Sequence, residues 1–282
     1  MDDLVSTEWL AEHLADAGLV ILDASSHLPA AGRDAAAEFG AAHIPGARFL
    51  DLASWTDPGS EVPSAIPNAA QFAERLQQLG IGAMDRVVIY DDSAVKTSSR
   101  AWFIFRLHGF TEVAILDGGL GKWRAEGRPL DAGMTQASEA KGARSGPPAF
   151  SVRSKNDLLA NLEFGREQVV DARSEGRFTG REPEAREGLA SGHIPGSLNL
   201  PFGEVLNEDG TFKQPDELGR VFQEAGVDLE RPVVTTCGSG VTAAVLLFTL
   251  HLMGKNDVSL YDGSWSEWGA DPRTPKASET SL

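Results

Sequence analysis

Two stretches of the chain decide its fold: RVVIYDDSAVKTSSRAWFIFRLHGFTEVAILDGGLGKW at residues 86–123 and RPVVTTCGSGVTAAVLLFTLHLMGKNDVSLYDGSWSEW at residues 231–268. They align without a gap at an offset of 145 residues and share ten identities in 38 positions. Two shorter repeats precede them: VILDAS at 20–25 matches QVVDAR at 168–173, and AHIPGA at 42–47 matches GHIPGS at 192–197. The offsets differ, so insertions fall between the matched blocks. The sequence therefore predicts a duplicated domain.

Within each copy, short apolar runs alternate with segments of helical periodicity. The apolar runs end in polar residues, as buried parallel strands do, and they lie at residues 20–25, 86–92, 114–119, 169–174, 231–237 and 259–264. Helices are predicted at residues 68–79, 100–107, 215–226 and 243–253, with Asn68 and Asp216 as N-caps. This alternation predicts an α/β fold in which each domain has a mainly parallel sheet with helices on both faces.

The domain boundaries follow from a change in composition. Residues 131–148 read DAGMTQASEAKGARSGPP, which is rich in small residues and lacks an apolar period. We therefore expect a first domain at 1–130, a linker at 131–150 and a second domain at 151–282. The polar tail at 271–282 is expected to fray.

Composition excludes several classes of partner. The 282 residues carry 25 Lys and Arg against 41 Asp and Glu, a net charge of −16, which argues against a nucleic acid or an anionic membrane as partner. No apolar run is long enough to span a membrane, and the acidic N-terminal segment lacks the basic region of a signal peptide. The expected location is the cytoplasm.

The single cysteine, Cys237, marks the point at which the two copies differ most usefully. The first copy has Asp92 there. A free cysteine is often only a small buried apolar residue, but this one begins a glycine-rich loop between a strand and a helix. Such a loop stabilises a thiolate with backbone N–H groups and the helix dipole. Binding of an anionic ligand is expected from the backbone of Gly238, Gly240, Val241 and Thr242. One cysteine excludes an intrachain disulfide and a cysteine-rich metal site, and no other metal-ligand spacing is visible.

Four arginines follow the first strand of the second copy: Arg173, Arg177, Arg181 and Arg186. One interpretation is a solvated loop in which they pair with glutamates, and we expect that for one or two of them. The other is a fork that binds a small carboxylate. The position after a strand end favours the fork, and the first copy offers only Arg33 in the comparable stretch.

Histidines are present at the same place in both copies, as His43 and His193. A duplicated histidine is better explained by a role in the HIPG turn than by catalysis. His43 is nevertheless kept as a candidate for a site built mainly by the second copy.

Taken together, HIPGA and HIPGS, LDGGLGKW and YDGSWSEW, and above all CGSGVTA at 237–243 resemble the tandem-domain rhodanese family, over nearly the whole chain. Within it, the cysteine loop is similar to that of the 3-mercaptopyruvate sulfurtransferase branch. Thiosulfate sulfurtransferases usually place basic residues directly after the cysteine, where this chain has Gly238 and Ser239.

The resemblance implies roles for individual residues. Arg177 and Arg186, nine apart, would hold the carboxylate and carbonyl of the substrate. Ser239 and His43 would assist the Cys237 nucleophile, with Asp34 as an acidic partner of His43. The first copy, with Asp92 in place of cysteine, would be inactive.

The predicted activity is sulfur transfer from 3-mercaptopyruvate through a Cys237 persulfide to thioredoxin, a small thiol or cyanide, without an organic cofactor or metal. The nearest alternative is a thiosulfate:cyanide sulfurtransferase. A cysteine-dependent phosphatase or arsenate reductase would need an arginine where the chain has Ala243. A sulfur-sensing or scaffold protein without catalytic activity is the remaining alternative.

Overall fold

The computed structural model describes residues 1–135 and 146–279, which form two compact units. The first unit comprises Met1–Asp57, Ile66–Ala149 and Asn207–Phe212. The second comprises Pro58–Ala65, Phe150–Leu206 and Lys213–Leu282. Each unit therefore includes one short segment that lies, along the chain, inside the other copy.

The first unit contains a five-stranded sheet in which every pair of neighbouring strands is parallel. Its strands are β1 (Leu4–Val5), β2 (Leu19–Asp23), β3 (Arg48–Phe49), β4 (Arg86–Tyr90) and β5 (Val113–Leu116), in the order β1-β5-β4-β2-β3. Its helices are α1 (Thr7–His13), α2 (Ala35–Ala41), α3 (Ala69–Gln78), α4 (Thr97–Leu107) and α5 (Gly119–Ala125), with 3-10 turns at Pro29–Ala31 and Leu52–Ser54.

Helices cover both faces of this sheet. The chain moves along the sheet in one direction through β1, β2 and β3, and then returns through β4 and β5. Because parallel crossovers are right-handed, this reversal places α1 and α2 on one face and α3 and α4 on the other. Packing agrees: Leu10 and Phe39 share a buried cluster with Val88 of the sheet. Phe72 and Phe105, from α3 and α4, meet edge to face with their ring centres 5.3 Å apart.

The second unit repeats this architecture. Its parallel strands are β6 (Ser151–Arg153), β7 (Gln168–Asp171), β8 (Leu198–Asn199), β9 (Val233–Thr236) and β10 (Val258–Tyr261), in the order β6-β10-β9-β7-β8. Its helices are α6 (Lys155–Phe164), α7 (Glu175–Thr179), α8 (Pro215–Glu224), α9 (Val241–Leu252) and α10 (Ser264–Trp268), with a 3-10 turn at Phe202–Val205. The predicted fold class is confirmed.

Local predictions succeed where the apolar period is long and miss some boundaries. Asn68 caps α3, as predicted, by accepting from the backbone N–H groups of Ala70 and Gln71. Asp216 is not an N-cap: α8 begins at Pro215, one residue earlier, with Gln214 in the cap position. Proline favours the first turn of a helix because its missing N–H would be unpaired there, and this fixes the start.

The ends of the two copies are better ordered than the composition suggests. Fraying of the tail is wrong for 271–277, because Thr274 is buried and Ala277 exchanges backbone hydrogen bonds with His193. In the predicted linker at 131–150, Asp131 pairs in the same way with His43. Residues 136–145 of that linker lie outside the described residues. Among the described residues, no helix is long and apolar enough to cross a membrane.

Candidate active site

Three neighbouring strands of the second unit carry the candidate site at their carboxyl ends. Cys237 directly follows the central strand β9, the arginine segment follows β7, and the segment from Gly263 to Trp268 follows β10. The chain reverses its direction of travel between β7 and β9. Ligands of open parallel sheets bind at such a reversal, beyond the carboxyl ends of the strands.

The cysteine loop is short, and one of its backbone N–H groups donates to the cysteine sulfur. Cys237 is only 2% exposed, and the backbone N–H of Gly240 donates to its Sγ at 3.1 Å. Gly240 has a left-handed backbone with φ of 80°, and α9 begins at the next residue. A residue with a side chain adopts this conformation only at a cost, so glycine is needed at this position.

The remaining amides of the loop are available to a ligand. Within the described part of the chain, the backbone N–H groups of Gly238, Ser239, Val241 and Thr242 make no hydrogen bond, and neither does the Ser239 hydroxyl. The amides in the first turn of a helix have no partner inside the helix. Together with the helix dipole they favour a negative charge beside Cys237.

The segment after β10 holds the loop through backbone and side-chain groups. The hydroxyl of Ser264 accepts from the backbone N–H of Cys237 at 3.2 Å, and Trp265 N–H donates to the Cys237 carbonyl at 2.9 Å. The Ser266 hydroxyl donates to the Gly238 carbonyl at 2.6 Å. Ser264 has a left-handed φ of 48°, which is strained for a residue with a side chain.

Arg177 lies against the loop and is held by a buried carboxylate. Its Nη2 lies 3.1 Å from the position that a Cβ on Gly238 would occupy. Its Nε donates to Glu184 Oε2 at 3.1 Å, and its Nη2 donates to the same oxygen. The Glu184 side chain is only 2% exposed, and its other oxygen accepts from Arg173 at 2.6 Å. Glu184 therefore bridges two guanidinium groups.

Arg173 is the buried member of the four arginines. It is buried, bonds to Asp171 and to the Gly192 carbonyl, and lies 4.4 Å from the centre of the Trp265 ring. Burial works to lower the pKa of Arg173, but the nearby Asp171 and Glu184 carboxylates outweigh it and raise the pKa above its ordinary value. The charge of Arg173 is therefore balanced by carboxylates of the protein itself.

The other two arginines differ in what they contact. Arg181 pairs with Glu175 at the surface. Arg186 is exposed and donates to the Ser266 hydroxyl at 3.1 Å, which links it to the cysteine loop through Gly238. Of the four arginines, Arg177 and Arg186 lie beside this loop. Their roles in binding a substrate stay predictions.

The duplicated histidines make the same local contacts in both copies. Each Nδ1 lies 2.8 Å from a phenylalanine carbonyl oxygen, and each ring stacks on that phenylalanine: Phe39 for His43 and Phe178 for His193. Because a carbonyl only accepts, Nδ1 of each ring is the donor in this contact. Asp34 caps α2 through Ala37 N–H, and among the described residues it makes no hydrogen bond to His43. The catalytic roles of His43 and Asp34 stay predictions.

In the first copy, the position of the nucleophile is occupied by a paired carboxylate. Asp92 accepts from Arg33 at 2.9 Å and from Arg124 at 3.2 Å. Arg33 also pairs with Glu38. The guanidinium groups of Arg33 and Arg124 are thus engaged with the Asp92 carboxylate.

Two regions of the chain match the family described as the rhodanese-like domain, residues 6–126 and 154–271. The chain belongs to the rhodanese-like family. The predicted resemblance is confirmed. The chain is 46% identical to the human 3-mercaptopyruvate sulfurtransferase over 271 residues, which cover 94% of this chain and 91% of that protein. It is 40% identical to the thiosulfate sulfurtransferase of Cricetulus griseus, over 94% of this chain and 91% of that protein.

A solved rhodanese-like structure agrees with the fold. The crystal structure of the 3-mercaptopyruvate sulfotransferase of Escherichia coli superposes with a TM-score of 0.84 at 36% identity, and covers 95% of this chain and 100% of that one. Relatives over nearly the full length are sulfurtransferases, which supports the predicted sulfurtransferase activity.

Two serines of this rhodanese-like site are not among the residues predicted from the sequence. Ser264 and Ser266 correspond to Gly119 and Gly121 in the first copy. Two glycine-to-serine differences beside the one functional loop are a signal that the repeat alignment contained.

Proposed function

We propose that this chain is a 3-mercaptopyruvate sulfurtransferase that works through a persulfide on Cys237. The observation that carries the proposal is the arrangement of charge around the cysteine. The loop itself holds only neutral residues, and among the described residues the N–H groups of Gly238, Ser239, Val241 and Thr242 make no hydrogen bond. Two arginines, Arg177 and Arg186, lie beside it. This suits a substrate whose carboxylate is separated from its reactive sulfur.

In the first half-reaction, the Cys237 thiolate attacks the sulfur of 3-mercaptopyruvate. A sulfur–sulfur bond forms, the carbon–sulfur bond breaks, and its electron pair goes to carbon as the enolate of pyruvate. The enolate then takes up a proton to give pyruvate. Arg177 and Arg186 orient the carboxylate and carbonyl, and the N–H of Gly240 with the neighbouring amides stabilises negative charge on sulfur.

Ser239 is proposed to take part in this proton transfer, since its hydroxyl is unengaged among the described residues. His43 is proposed to assist it, because its Nδ1 is engaged with the Phe39 carbonyl oxygen and its Nε2 is the ring nitrogen left for a further contact. Asp34, as the acidic partner of His43, remains part of the proposal without a contact to support it.

In the second half-reaction, an acceptor thiolate or cyanide attacks the outer sulfur of the persulfide. The sulfur–sulfur bond breaks and its electron pair returns to Cys237. Thioredoxin or a small thiol is the proposed acceptor. The cytoplasm is the proposed location, because a reducing compartment keeps a lone thiol reduced.

The two copies are proposed to divide the work. The second domain, 151–282, carries the nucleophile. The first, 1–130, is non-catalytic, since the Asp92 carboxylate stands where the cysteine would be and pairs with Arg33 and Arg124. Residues 131–150 are proposed to link them.

Thiosulfate is the alternative donor, favoured by the 40% identical relative that bears that name. Steady-state kinetics with both donors and one acceptor separates the two functions. The proposal expects a kcat/KM for 3-mercaptopyruvate at least about tenfold above that for thiosulfate. A higher kcat/KM for thiosulfate would overturn it.

A further inference from the structure

The Ser266 hydroxyl connects the cysteine loop to Arg186 through two hydrogen bonds. Its Oγ donates to the Gly238 carbonyl at 2.6 Å and accepts from Arg186 Nη1 at 3.1 Å. The backbone N–H of Ser266 donates to the same carbonyl at 2.9 Å. Ser266 is 6% exposed, so its hydroxyl is held in this arrangement away from bulk water.

Arg186 differs from the other three arginines in its anchor. Carboxylates hold Arg173, Arg177 and Arg181. Within the described residues, no ion pair neutralises Arg186, and its hydrogen bond goes to the neutral hydroxyl of Ser266. Its charge therefore stays available to a bound carboxylate, while its position depends on a group that does not compete for that charge.

The copy without the cysteine has no hydroxyl that could make this connection. The residue at the position of Ser266 is Gly121, which has no hydroxyl. In the first copy, the backbone N–H of Leu120 donates to the carbonyl of Asp91. In the second copy, the matching backbone N–H of Trp265 donates to the carbonyl of Cys237, which is aligned with Asp92 and so lies one position later. The hydroxyl and the different register of the loop thus occur together with the nucleophile.

We propose that Ser266 is a positioning residue for sulfur transfer: it fixes Arg186 relative to the cysteine loop and so sets the affinity for the keto-acid donor. This rests on the proposed function, since it assumes that Arg186 binds the carboxylate of 3-mercaptopyruvate. Ser266 itself is assigned no contact with the reacting sulfur or carbon.

Removal of the hydroxyl should change binding more than chemistry. In Ser266→Ala the Gly238 carbonyl keeps the backbone N–H of residue 266, so the loop retains one hydrogen bond there. Arg186 loses its restraint but is already exposed to water. We expect the KM for 3-mercaptopyruvate to rise about five- to tenfold and kcat to stay within about twofold.

A double-mutant cycle tests whether Ser266 acts through Arg186. The kcat/KM for 3-mercaptopyruvate is measured for Ser266→Ala, Arg186→Ala and the double variant. The proposal expects the double variant to match Arg186→Ala, because the serine has nothing left to position. Multiplicative losses, or a KM unchanged by Ser266→Ala, would overturn it.

Ser197→Ala is the matched control. The Ser197 hydroxyl also donates to a backbone carbonyl, that of Ile194 at 2.7 Å. The first copy has Ala47 at this position. The KM of Ser197→Ala should equal that of the unaltered protein. Thermal unfolding of each variant shows whether it is folded. If Ser266→Ala does not fold, Ser266→Gly, which introduces the residue of the first copy, takes its place.

The result also separates this inference from the function on which it rests. If the unaltered protein forms no persulfide with 3-mercaptopyruvate, the proposed function fails, and the role of Ser266 fails with it. If it forms the persulfide but the cycle is multiplicative, only the role of Ser266 fails.

Discussion

The backbone N–H of Gly240 donates to the sulfur of Cys237 across 3.1 Å, and this contact requires a left-handed residue directly before α9. Gly240→Ala should cost about 1 kcal/mol of stability through backbone strain. It should also lower kcat/KM by about 10- to 100-fold, because the amide turns away from the sulfur. Urea unfolding and steady-state kinetics measure the two effects.

Gly254→Ala provides the control for that strain. Gly254 has nearly the same φ, 82°, and nothing lies within 4 Å of an added Cβ. Its variant should lose the same stability and keep full activity. Equal activity in the two variants would show that the Gly240 amide does not contribute to catalysis.

Gly238→Ala tests the position of Arg177. The new Cβ would lie 3.1 Å from Arg177 Nη2, so the guanidinium must shift by a few tenths of an ångström. We expect a KM for 3-mercaptopyruvate raised about three- to tenfold with a smaller change in kcat, since Arg177 is assigned to binding. Gly203→Ala, where nothing lies within 4 Å, should leave both constants unchanged. An unchanged KM in Gly238→Ala would remove Arg177 from the binding site.

Glu184→Gln tests the bridge between the buried guanidinium group of Arg173 and the partly exposed one of Arg177. The variant keeps the shape of the side chain but removes the charge shared by Arg173 and Arg177. We expect a loss of about 3 kcal/mol in urea unfolding, as when one partner of a buried ion pair is removed, together with a raised KM.

Glu175→Gln is the matched surface change, since Glu175 pairs with Arg181 and its side chain is 70% exposed. It should cost less than about 0.5 kcal/mol and leave the KM unaltered. Similar losses in Glu184→Gln and Glu175→Gln would contradict the distinction drawn between the two pairs.

Ser264 combines strain with a contact to the nucleophile. Ser264→Gly relieves the left-handed φ of 48° but removes the acceptor for the Cys237 N–H. The two effects should offset to within about 1 kcal/mol, while kcat falls several-fold. Ser264→Ala keeps the strain and loses the hydroxyl, so it should be less stable than the glycine variant and as poorly active. Full activity in Ser264→Gly would show that this hydroxyl is dispensable.

Much of this fold could be predicted from the repeats because apolar periodicity is a local signal. The runs that became β4 and β9, and the helices that follow them, lie close to their predicted places. The strands β1 and β6 have only two and three residues, too few to show a period. Their pairing with β5 and β10 depends on contacts far apart in sequence.

The site was predictable where chemistry needs a rare residue type. Cys237 stands out as the one cysteine, and the four arginines between 173 and 186 as cations in an acidic chain. The resemblance to the rhodanese family singles out Arg177 and Arg186 among them. Ser264 and Ser266 did not stand out, since serine is common in turns and their contacts with the loop arise only when β9 and β10 pair. The pairing of Arg173 and Arg177 with one carboxylate, that of Glu184, likewise appears only in the structure.

The proposed function depends on the transfer of sulfur from 3-mercaptopyruvate to Cys237. The chain has one cysteine, so an intact-mass measurement after incubation with this donor reports on a single thiol. We expect a gain of one sulfur atom with release of pyruvate, reversed by an added thiol and absent in Cys237→Ser. No gain in the unaltered protein, or a gain that persists in Cys237→Ser, would contradict it.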